Sequence, residues 1–420
     1  TYRRGDQMNR ARLRHFAQIN PPSPAFDRLP HDAELTFLPM ENIWPDGRLD
    51  LSQRRPKSSV TTGYTRFQHG DILVPKISPT FEASRSVLIT DGLLNGVGAG
   101  TTELHILRAG PEIEPRFLLY VTHSHPFLKM GEAAMNGVAG QKRVPDDFIR
   151  NFLIDITDLE EQRRIADFLD HEIRLIGRMN SLLKRMLGKL TEREQALIDL
   201  EIVRLSTKYG TVPFRRAIQR IEQGISPQCD SVPAQEHEWG VLKLSSIKRG
   251  SFFPEENKRL PEEVTPDQRY EVRIGDLLVT RANTPELVGD VAVVTHNTRR
   301  LLLPDLIYRV TLSQSVLPEF ASLAIMSSHV RGIIRATARG TSQSMVKLRG
   351  EDIREWPIPK VDKKLQIETV NKIAKQQESI KTLRHKIMRQ LDLLDERRKA
   401  LITAAVAGQI DVATARGSIR

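Results

Sequence analysis

The sequence repeats itself once, at an offset of about 204 residues, and this repeat limits the folds that the chain can adopt. The segment TEREQALIDLEIV at 191–203 is matched by DERRKALITAAVA at 395–407. Three further pairs keep nearly the same offset: FLPMENI (37–43) with VLKLSSI (241–247), HGDILVPKIS (69–78) with IGDLLVTRAN (274–283), and EEQRRIADFL (160–169) with KLQIETVNKI (364–373). A period this long indicates two copies of one domain rather than a solenoid of short repeats.

Each copy begins with a stretch that is rich in Pro, Gly and short β-branched runs. We predict strands at DILVPKI, SVLIT and LHILRA in the first copy, and at GVLKL, DLLVTR and VAVVT in the second. Short helices are predicted at 115–124 and at 318–336. This mixture predicts a compact α+β domain in each copy, at 1–157 and at 208–361.

Each copy ends with a heptad pattern, at 158–207 and within 362–420. Apolar residues recur at spacings of three, four and seven, which is typical of a coiled-coil seam. These residues are Leu169, Ile173, Ile176, Leu183, Leu187, Leu190 and Leu197 in the first copy, and Ile373, Ile380, Ile387, Leu391, Leu394 and Leu401 in the second. A lone helix would expose such a stripe, so we predict that the two helices pack on each other.

The predicted fold therefore has two globular α+β domains separated by two long helices that form a coiled coil. If a pseudo-twofold axis relates the two copies, the helices run antiparallel. Polar residues interrupt the seam at matching positions, Asn180 with Arg384 and Glu194 with Arg398. We interpret them as solvent-facing breaks; the alternative is that they fix the register of the helices.

Composition narrows the class of protein. With 39% hydrophobic and 27% charged residues, the chain has an ordinary globular composition. No apolar run is long enough to span a membrane, and the amino-terminal segment has no apolar signal core. The single cysteine, Cys229, excludes an internal disulfide and suits a reducing cytoplasm. The net charge of +11 favours a polyanionic partner, of which nucleic acid is the commonest.

Catalytic motifs are weak or missing. NGVGAG at 95–100 lacks the spacing of a dinucleotide fingerprint, and we predict a turn there. NPPS at 20–23 has Ser23 where an amino-methyltransferase signature needs an aromatic residue. The histidines of HSH at 123–125 have no further ligands at metal spacing, so no metal site is predicted.

The order of segments resembles that of the DNA specificity subunit of type I restriction–modification systems. Each half has GDILVPK or GDLLVTR, then GQKRVPDDF or GTSQSMVKL, then NFLIDI or EWPIPK. EEQRRIADFL or KLQIETVNKI then opens a long helix, which ends in REQALIDL or RRKALITAAVAGQIDV. The second half also opens with VPFRRAIQRIEQGISP at 212–227. The resemblance covers nearly the whole chain.

The resemblance implies a subunit without catalytic activity. In this family each variable domain is a target recognition domain, and together they read an asymmetric, bipartite site in double-stranded DNA. The long helices are spacers between the domains. The subunit binds two modification subunits, which carry S-adenosylmethionine and methylate adenine, so no cofactor is expected on this chain. The resemblance leaves open whether restriction subunits that hydrolyse ATP join the complex.

The repeat also nominates residues for DNA contact, because equivalent polar residues follow equivalent strands. Lys76 matches Arg281, and Ser78 matches Asn283, just past a predicted strand. A second group comprises Gln141, Lys142 and Arg143 in the first copy, and Ser342, Gln343, Ser344 and Lys347 in the second. Gly140 and Gly340 beside them would allow the backbone to approach a groove closely. The alternative is that these residues belong to ordinary surface loops.

Two other functions remain open from the sequence. One is a stand-alone DNA methyltransferase or nuclease whose motifs are not recognisable. The other is a coiled-coil adaptor that binds protein and not DNA. Binding of S-adenosylmethionine by the purified chain would favour the first, and the absence of salt-dependent duplex binding would favour the second.

Overall fold

The computed structural model of the protein describes residues 9–45, 47–137, 142–295, 300–342 and 345–412. The chain divides into two compact units. Unit 1 contains the described residues of 1–184 and 388–420, and unit 2 contains those of 185–387. Each unit thus includes part of both heptad segments. The predicted division into two domains and two separate spacer segments stays a prediction.

Within its described residues, unit 1 forms two four-stranded sheets and a separate antiparallel strand pair. The strands are β1 (Asn9–Arg12), β2 (Ala17–Ile19), β3 (Glu34–Leu38), β4 (Arg54–Pro56), β5 (Thr65–Gln68), β6 (Asp71–Pro75), β7 (Val87–Leu88), β8 (Val97–Gly100), β9 (Leu104–Ala109) and β10 (Leu153–Ile156). The main sheet has the order β2-β9-β6-β7 and is antiparallel. The second sheet has the order β4-β3-β8-β5, with β3 parallel to β8. The separate pair is β1 with β10.

The described part of unit 2 repeats this strand order. Its strands are β11 (Thr211–Pro213), β12 (Ile218–Gln223), β13 (Gly240–Leu242), β14 (Ile247–Lys248), β15 (Ser251–Phe252), β16 (Asn257–Arg259), β17 (Leu277–Thr280), β18 (Ala282–Asn283), β19 (Val291–Val293), β20 (Leu301–Leu302), β21 (Ile307–Leu312), β22 (Arg339–Ser342), β23 (Met345–Lys347) and β24 (Pro357–Pro359). The main sheet is β12-β21-β17-β19, and β16-β13-β20 again contains a parallel pair, β13 with β20. Strand β11 pairs with β24, β14 with β15, and β18-β23-β22 form a small sheet. The duplication therefore extends to topology.

The helices are α1 (Pro24–Arg28), α2 (Pro115–His123), α3 (His125–Ala133), α4 (Asp146–Asn151), α5 (Leu159–Tyr209), α6 (Pro318–Met326), α7 (Ser328–Thr337), α8 (Gly350–Arg354) and α9 (Lys363–Val406). The predicted helix at 318–336 is interrupted at Ser327, whose ψ of 146° is extended. The two heptad segments form the long helices α5 and α9. No helix in the described ranges is both long and apolar enough to span a membrane.

The central strand of each main sheet is buried on both faces. All residues of β6 (DILVP) and β17 (LLVT) are buried. In unit 1, Ile72 and Val74 pack in the cluster that includes Phe117 of α2. Leu73 points to the opposite face and packs with Leu38 of the second sheet. Because successive side chains of a strand alternate between faces, one apolar strand joins the helical layer to the second sheet.

The predicted turn at 95–100 is confirmed only for Asn95 and Gly96, whose φ angles are 55° and 71°, because Val97–Gly100 is strand β8 inside the second sheet. The small residues of this strand serve close packing. A Cβ on Gly98 would lie 2.3 Å from the ring of Phe67, and one on Gly100 would lie 2.6 Å from the carbonyl oxygen of Leu38. Glycine at these positions lets the neighbouring ring and backbone approach β8.

In unit 1, the beginning of α5 packs against the end of α9. Ile402 and Ala405 of α9 belong to the same buried cluster as Ile165 and Leu169 of α5. Glu172, which is also buried, pairs with Arg397 at 3.3 Å.

In unit 2, the end of α5 packs with the beginning of α9. Ile198, Ile202 and Leu205 share a buried cluster with Ile373. The two contacts together require the helices to be antiparallel, so the predicted α+β class with two antiparallel long helices is confirmed.

The predicted seam residues are buried or half-buried along both helices. At two equivalent positions the fully buried residue is the neighbour of the one that we predicted: Ile198 is buried beside half-buried Leu197, and Ile402 beside half-buried Leu401. The difference arises because α5 and α9 also pack against the α+β domains, and this contact widens the buried face beyond a two-helix seam.

The four polar residues in the seam are half-buried, so they face solvent only in part. In unit 2, Arg384 pairs with Glu194 at 3.2 Å between the two helices. In unit 1, Arg398 donates a hydrogen bond to the carbonyl oxygen of Pro45 at 3.3 Å. Equivalent polar positions therefore make different contacts in the two units.

Candidate nucleic-acid interface

The two groups of residues nominated in the first copy lie side by side in unit 1. We define recognition surface 1 as residues 76–78 and 142–144. The backbone N–H of Val144 donates to the carbonyl oxygen of Lys76 at 2.9 Å, which ties the two segments together. The segment at 76–78 directly follows the buried strand β6, so the main sheet fixes its position.

The groups nominated in the second copy come together in unit 2. We define recognition surface 2 as residues 281–283 and 346–348. The backbone N–H of Leu348 donates to the carbonyl oxygen of Arg281 at 2.8 Å. The segment at 281–283 follows β17 and pairs with β23 in an antiparallel register.

The two surfaces have the same backbone frame. The bond from Val144 to Lys76 and the bond from Leu348 to Arg281 join equivalent positions of the repeat, at 2.9 and 2.8 Å. The side chains on this frame differ, because Lys76 in unit 1 corresponds to Arg281 in unit 2. Such a frame suits two binding surfaces that share a backbone structure and differ in specificity.

The cations of surface 1 differ in their availability. Lys142 is exposed. Lys76 is half-buried, donates to the carbonyl oxygen of Thr102 at 2.8 Å, and has a pKa that burial lowers. Arg143 is exposed but forms two hydrogen bonds of 2.8 Å to the carboxylate of Glu103, and this pairing raises the pKa of Arg143. A phosphate or base that binds Arg143 must compete with Glu103.

Surface 1 also includes Ser78, which is half-buried. Its backbone N–H donates to the carbonyl oxygen of Lys142 at 3.1 Å. The hydrogen bond holds the nominated serine beside the nominated lysine, although the two are far apart in the sequence.

On surface 2, Arg281 is half-buried and donates from Nε to the hydroxyl of Tyr308 at 3.2 Å. The Oδ1 atom of Asn283 accepts a hydrogen bond from the backbone of Thr284 at 2.9 Å, which leaves the amide nitrogen as a donor. Lys347 is exposed at the end of β23. This surface therefore presents cationic and amide groups of the kind that contact phosphates and base edges.

Part of the nominated set cannot be placed. Gln141, Gln343 and Ser344 lie outside the described residues, and Ser342 is described only as the end of β22. The nominated DNA contacts as a whole stay predictions.

Comparison with known proteins identifies relatives of the chain. No family model matches the chain. The type I restriction enzyme EcoEI specificity subunit of Escherichia coli is 27% identical over 456 residues, which cover 86% of this chain and 76% of that protein. The EcoAI specificity subunit of Escherichia coli is 37% identical over 253 residues, which cover 58% of this chain and 40% of that protein. Over most of its length the chain is thus similar to type I restriction enzyme specificity subunits.

Solved structures share the fold of this chain. A chain from a structure of complex assembly and conformational transition in the type I R-M system has a TM-score of 0.71 at 16% identity, over 96% of this chain and 98% of that chain. The crystal structure of the HsdS subunit from Thermoanaerobacter tengcongensis has a TM-score of 0.54 at 15% identity, over 96% and 97% of the two chains.

The sequence did not point to two residues that support the surfaces. His105 on β9 and Tyr308 on β21 are buried beneath surfaces 1 and 2. Each is hydrogen-bonded to the carbonyl oxygen of the last residue of its surface, Val144 or Leu348. The repeat aligns the histidine with the tyrosine, and this alignment was the available signal. An apolar strand context made both look like core residues.

A second missed feature is a cavity of about 510 Å³ beside surface 2. Its lining includes Tyr308, Gln223, Arg349 and Arg354. Arg349 directly follows surface 2 in the chain, so the cavity extends that surface with two guanidinium groups. The repeat did not indicate this cavity, because Arg349 aligns with a proline in the first copy.

The repeated glutamine joins each α+β domain to its long helix. Gln162 in α5 is fully buried. Its Oε1 atom accepts a hydrogen bond from the backbone of Glu114 at 2.9 Å. Its Nε2 atom donates to the carbonyl oxygens of Glu112 at 3.1 Å and Thr157 at 2.8 Å. One side chain therefore fastens the loop before α2 to the first turn of α5.

Gln366 in α9 makes the same three contacts in unit 2. Oε1 accepts from the backbone of Leu317 at 2.9 Å, and Nε2 donates to the carbonyl oxygens of Ser315 at 2.9 Å and Val361 at 3.1 Å. The residue is 1% exposed. The match between Gln162 and Gln366 was visible in the sequence, but its structural role was not.

The described residues contain no cluster of three or more His, Cys, Asp or Glu side chains that could hold a metal ion. Burial raises the pKa of the Cys229 thiol, which disfavours the thiolate form that a nucleophile needs.

Proposed function

We propose that this specificity subunit reads DNA for a type I restriction–modification complex and has no catalytic activity of its own. Each unit reads one half of an asymmetric, bipartite site in double-stranded DNA, and the base pairs between the halves are not read. The relatives support this proposal, because they are named as specificity subunits of type I restriction enzymes. The net charge of +11 favours association with a polyanion.

The observation that carries the proposal is the common backbone frame of surfaces 1 and 2 with unlike side chains. Base edges are distinguished by the donors and acceptors of individual side chains. A twofold dimer with identical readers selects a palindromic site. Two related but different readers in one chain instead select two different half-sites, such as those that Lys76 and Arg281 would contact.

Two modification subunits are the proposed protein partners. The first long helix exposes apolar side chains in each unit. In unit 1 they are Met179 and Leu182, which are 49% and 51% exposed. In unit 2 they are Met186, Leu200 and Val203, which are 47%, 66% and 54% exposed. An exposed apolar stripe of this kind marks a protein contact. It supports docking of partner subunits on the helices.

The chemistry belongs to the partners in this proposal. S-adenosylmethionine binds to the modification subunits, which methylate adenine, and restriction subunits that hydrolyse ATP are optional further partners. The complex acts in the cytoplasm, where DNA is accessible and Cys229 stays reduced.

Methylation profiling of host DNA tests the proposal directly. Cells that express the chain with its modification subunit should carry methyladenine in one bipartite, asymmetric motif, and cells without the chain should lack that motif. Replacement of residues 208–361 by the equivalent segment of a relative should change one half of the motif and keep the other. A change in both halves would contradict independent readers.

Two further measurements separate the alternatives. The purified chain without partners should neither bind S-adenosylmethionine nor transfer methyl groups, whereas a stand-alone methyltransferase would do both. Binding of the complex to duplex DNA should weaken steeply as salt rises, because phosphate contacts release counterions. Duplex binding that is absent at low salt would favour a protein-binding adaptor.

A further inference from the structure

Each recognition surface rests on one buried ring at the same position of the main sheet. The ring belongs to His105 in unit 1 and to Tyr308 in unit 2, which are 3% and 8% exposed. Both rings project from the strand next to the one that leads into the surface, β9 beside β6 and β21 beside β17. The repeat has therefore kept a polar ring at this position while its chemical identity changed.

The hydrogen bonds of His105 determine its tautomer. Nε2 lies 2.9 Å from the carbonyl oxygen of Val144, and Nδ1 lies 3.3 Å from Nδ2 of Asn20. Burial lowers the pKa of His105 to about 4, so the ring is neutral at pH 7 and has one proton. A carbonyl oxygen only accepts, so the proton is on Nε2 and Nδ1 accepts from the amide of Asn20.

Asn20 is itself fixed by the neighbouring strand. Its backbone N–H donates to the carbonyl oxygen of Ile106 at 2.7 Å, and its Oδ1 atom accepts from the N–H of Ile106 at 3.0 Å. The path from Asn20 through His105 to Val144 thus ends on a rigid part of the sheet.

Tyr308 makes the corresponding contacts with a different group. Its hydroxyl accepts from Nε of Arg281 at 3.2 Å and donates to the carbonyl oxygen of Leu348 at 3.4 Å. The guanidinium carbon of Arg281 also lies 5.9 Å from the centre of the ring. In both units the ring donates one hydrogen bond to the surface and accepts one from a second side chain.

The end of each surface is consequently held from two directions. The N–H of Val144 is bound to Lys76 and its C=O to His105; the N–H of Leu348 is bound to Arg281 and its C=O to Tyr308. Fixing both sides of one residue restricts rotation of the backbone there. Base readout needs donors placed to within about 0.5 Å, so this restriction acts on specificity.

We propose that His105 and Tyr308 are positioning residues, each of which fixes one recognition surface and thereby sharpens discrimination at one half-site only. This inference rests on the proposed function. A ring that only fills the core would affect stability without preference for either half-site.

The test uses the complete complex with its modification subunits and the DNA motif found by methylation profiling. Tyr308→Phe keeps the ring and removes the hydroxyl. His105→Leu removes the donor, and His105→Gln keeps an N–H donor. Dissociation constants are measured at one salt concentration for the intact site and for two duplexes, each with one base pair changed in one half-site.

For Tyr308→Phe we expect discrimination to fall about tenfold at one half-site, which corresponds to about 1.4 kcal/mol, and to stay within about twofold at the other. His105→Leu should give the opposite pattern. His105→Gln should restore most of the discrimination that His105→Leu loses, because the donor to Val144 is retained.

Tyr120→Phe is the matched control, since it removes a buried hydroxyl that donates to Asp170 at 2.5 Å, away from both surfaces. It should leave both discrimination ratios unchanged. Equal loss at the two half-sites, or no loss in either His105→Leu or Tyr308→Phe, would overturn the inference. A wild-type complex that prefers no site would instead refute the proposed function.

Discussion

The two units differ at the junction between the α+β domain and the long helix that follows it. In unit 1 this junction is ionic. Arg116 of α2 lies 2.8 Å from both Asp167 and Asp170 of α5, and the hydroxyl of Tyr120 donates to Asp170. The side chain of Arg116 is 35% exposed, so water and salt reach this contact.

In unit 2 the same junction is apolar. Leu323 of α6, which aligns with Tyr120, packs against the apolar cluster that includes Ile373 of α9, as does Val370. Gln366, in contrast, makes the same three hydrogen bonds as its counterpart in unit 1. The comparison teaches that the glutamine sets the geometry of the junction, while the rest of the contact has changed its chemistry without changing the fold.

The largest expected effect concerns the feature that both units share. Gln366→Leu removes three hydrogen bonds from the backbone at the junction, and we expect the free energy of unfolding to fall by roughly 3 kcal/mol. Gln162→Leu should cost a similar amount in unit 1. Denaturant unfolding and, independently, calorimetry measure the effects of both substitutions.

Gln390→Leu is the control for this pair, because Gln390 is exposed on α9. It should change the free energy of unfolding by no more than about 0.5 kcal/mol. An effect of Gln366→Leu as small as that of the control would show that the glutamine does not set the junction.

The next largest effect is a difference in pH response. Burial lowers the pKa of both His105 and His123 in unit 1 to about 4. Their unfolded-state pKa is near 6.5, so the unfolded chain binds more protons between pH 6.5 and 4, and stability falls as pH falls through this range. At pH 5 the loss is about 2 kcal/mol per histidine. In unit 2, burial raises the pKa of Asp276 and Asp290, which acts in the opposite direction.

Hydrogen exchange at pH 7 and at pH 5 can compare the units within one chain, since it reports local opening. Unit 1 should lose protection first. In unit 2, Met326 stands where unit 1 has His123, so His123→Met should remove about half of the acid sensitivity. Equal loss of protection in both units would contradict the assignment to these histidines.

The ionic and apolar junctions should also respond differently to salt. Leu323→Ala should lower the free energy of unfolding by about 1.5 kcal/mol at low and high salt alike, because it removes packing. Arg116→Met should cost about 1 kcal/mol at low salt and less in 1 M salt, because exposed ion pairs are weak and screened. Thermal unfolding at two salt concentrations checks both. An Arg116→Met effect that salt does not change would indicate packing instead of charge.

The smallest expected effect is on DNA binding by the exposed lysines. Lys142→Ala on surface 1 and Lys347→Ala on surface 2 should each weaken duplex binding by about 0.5–1 kcal/mol and reduce the slope of log affinity against log salt by about one. If either lysine contacts a base, its replacement should instead relax specificity at one position. Binding titrations at three salt concentrations distinguish these results.

The sequence predicted those features that the two copies share. The repeat located both long helices. The alignment of Lys76 with Arg281 selected one segment in each copy, and in the structure this segment lies beside the second nominated group of the same copy. This worked because equivalent positions of a duplicated fold keep their strand order, and the strand order decides which segments meet.

The features that differ between the copies could not be predicted in this way. Glu103 engages Arg143 across about 40 residues of sequence, and no local pattern indicates such a pair. Gly98 looked like part of a turn because its role, room for the ring of Phe67, depends on a strand from elsewhere in the fold. Side-chain partners supplied by distant segments are set by tertiary packing, which propensity and periodicity do not contain.

The packing of α9 into unit 1 has a consequence for synthesis of the protein. Ile402 and Ala405 complete the core to which Ile165 and Leu169 belong. On a ribosome, the amino-terminal half emerges on the order of 10 to 50 s before these residues are made. During that interval its apolar helix face has no partner from its own chain, so the nascent half depends on chaperones or on the arrival of its final helix.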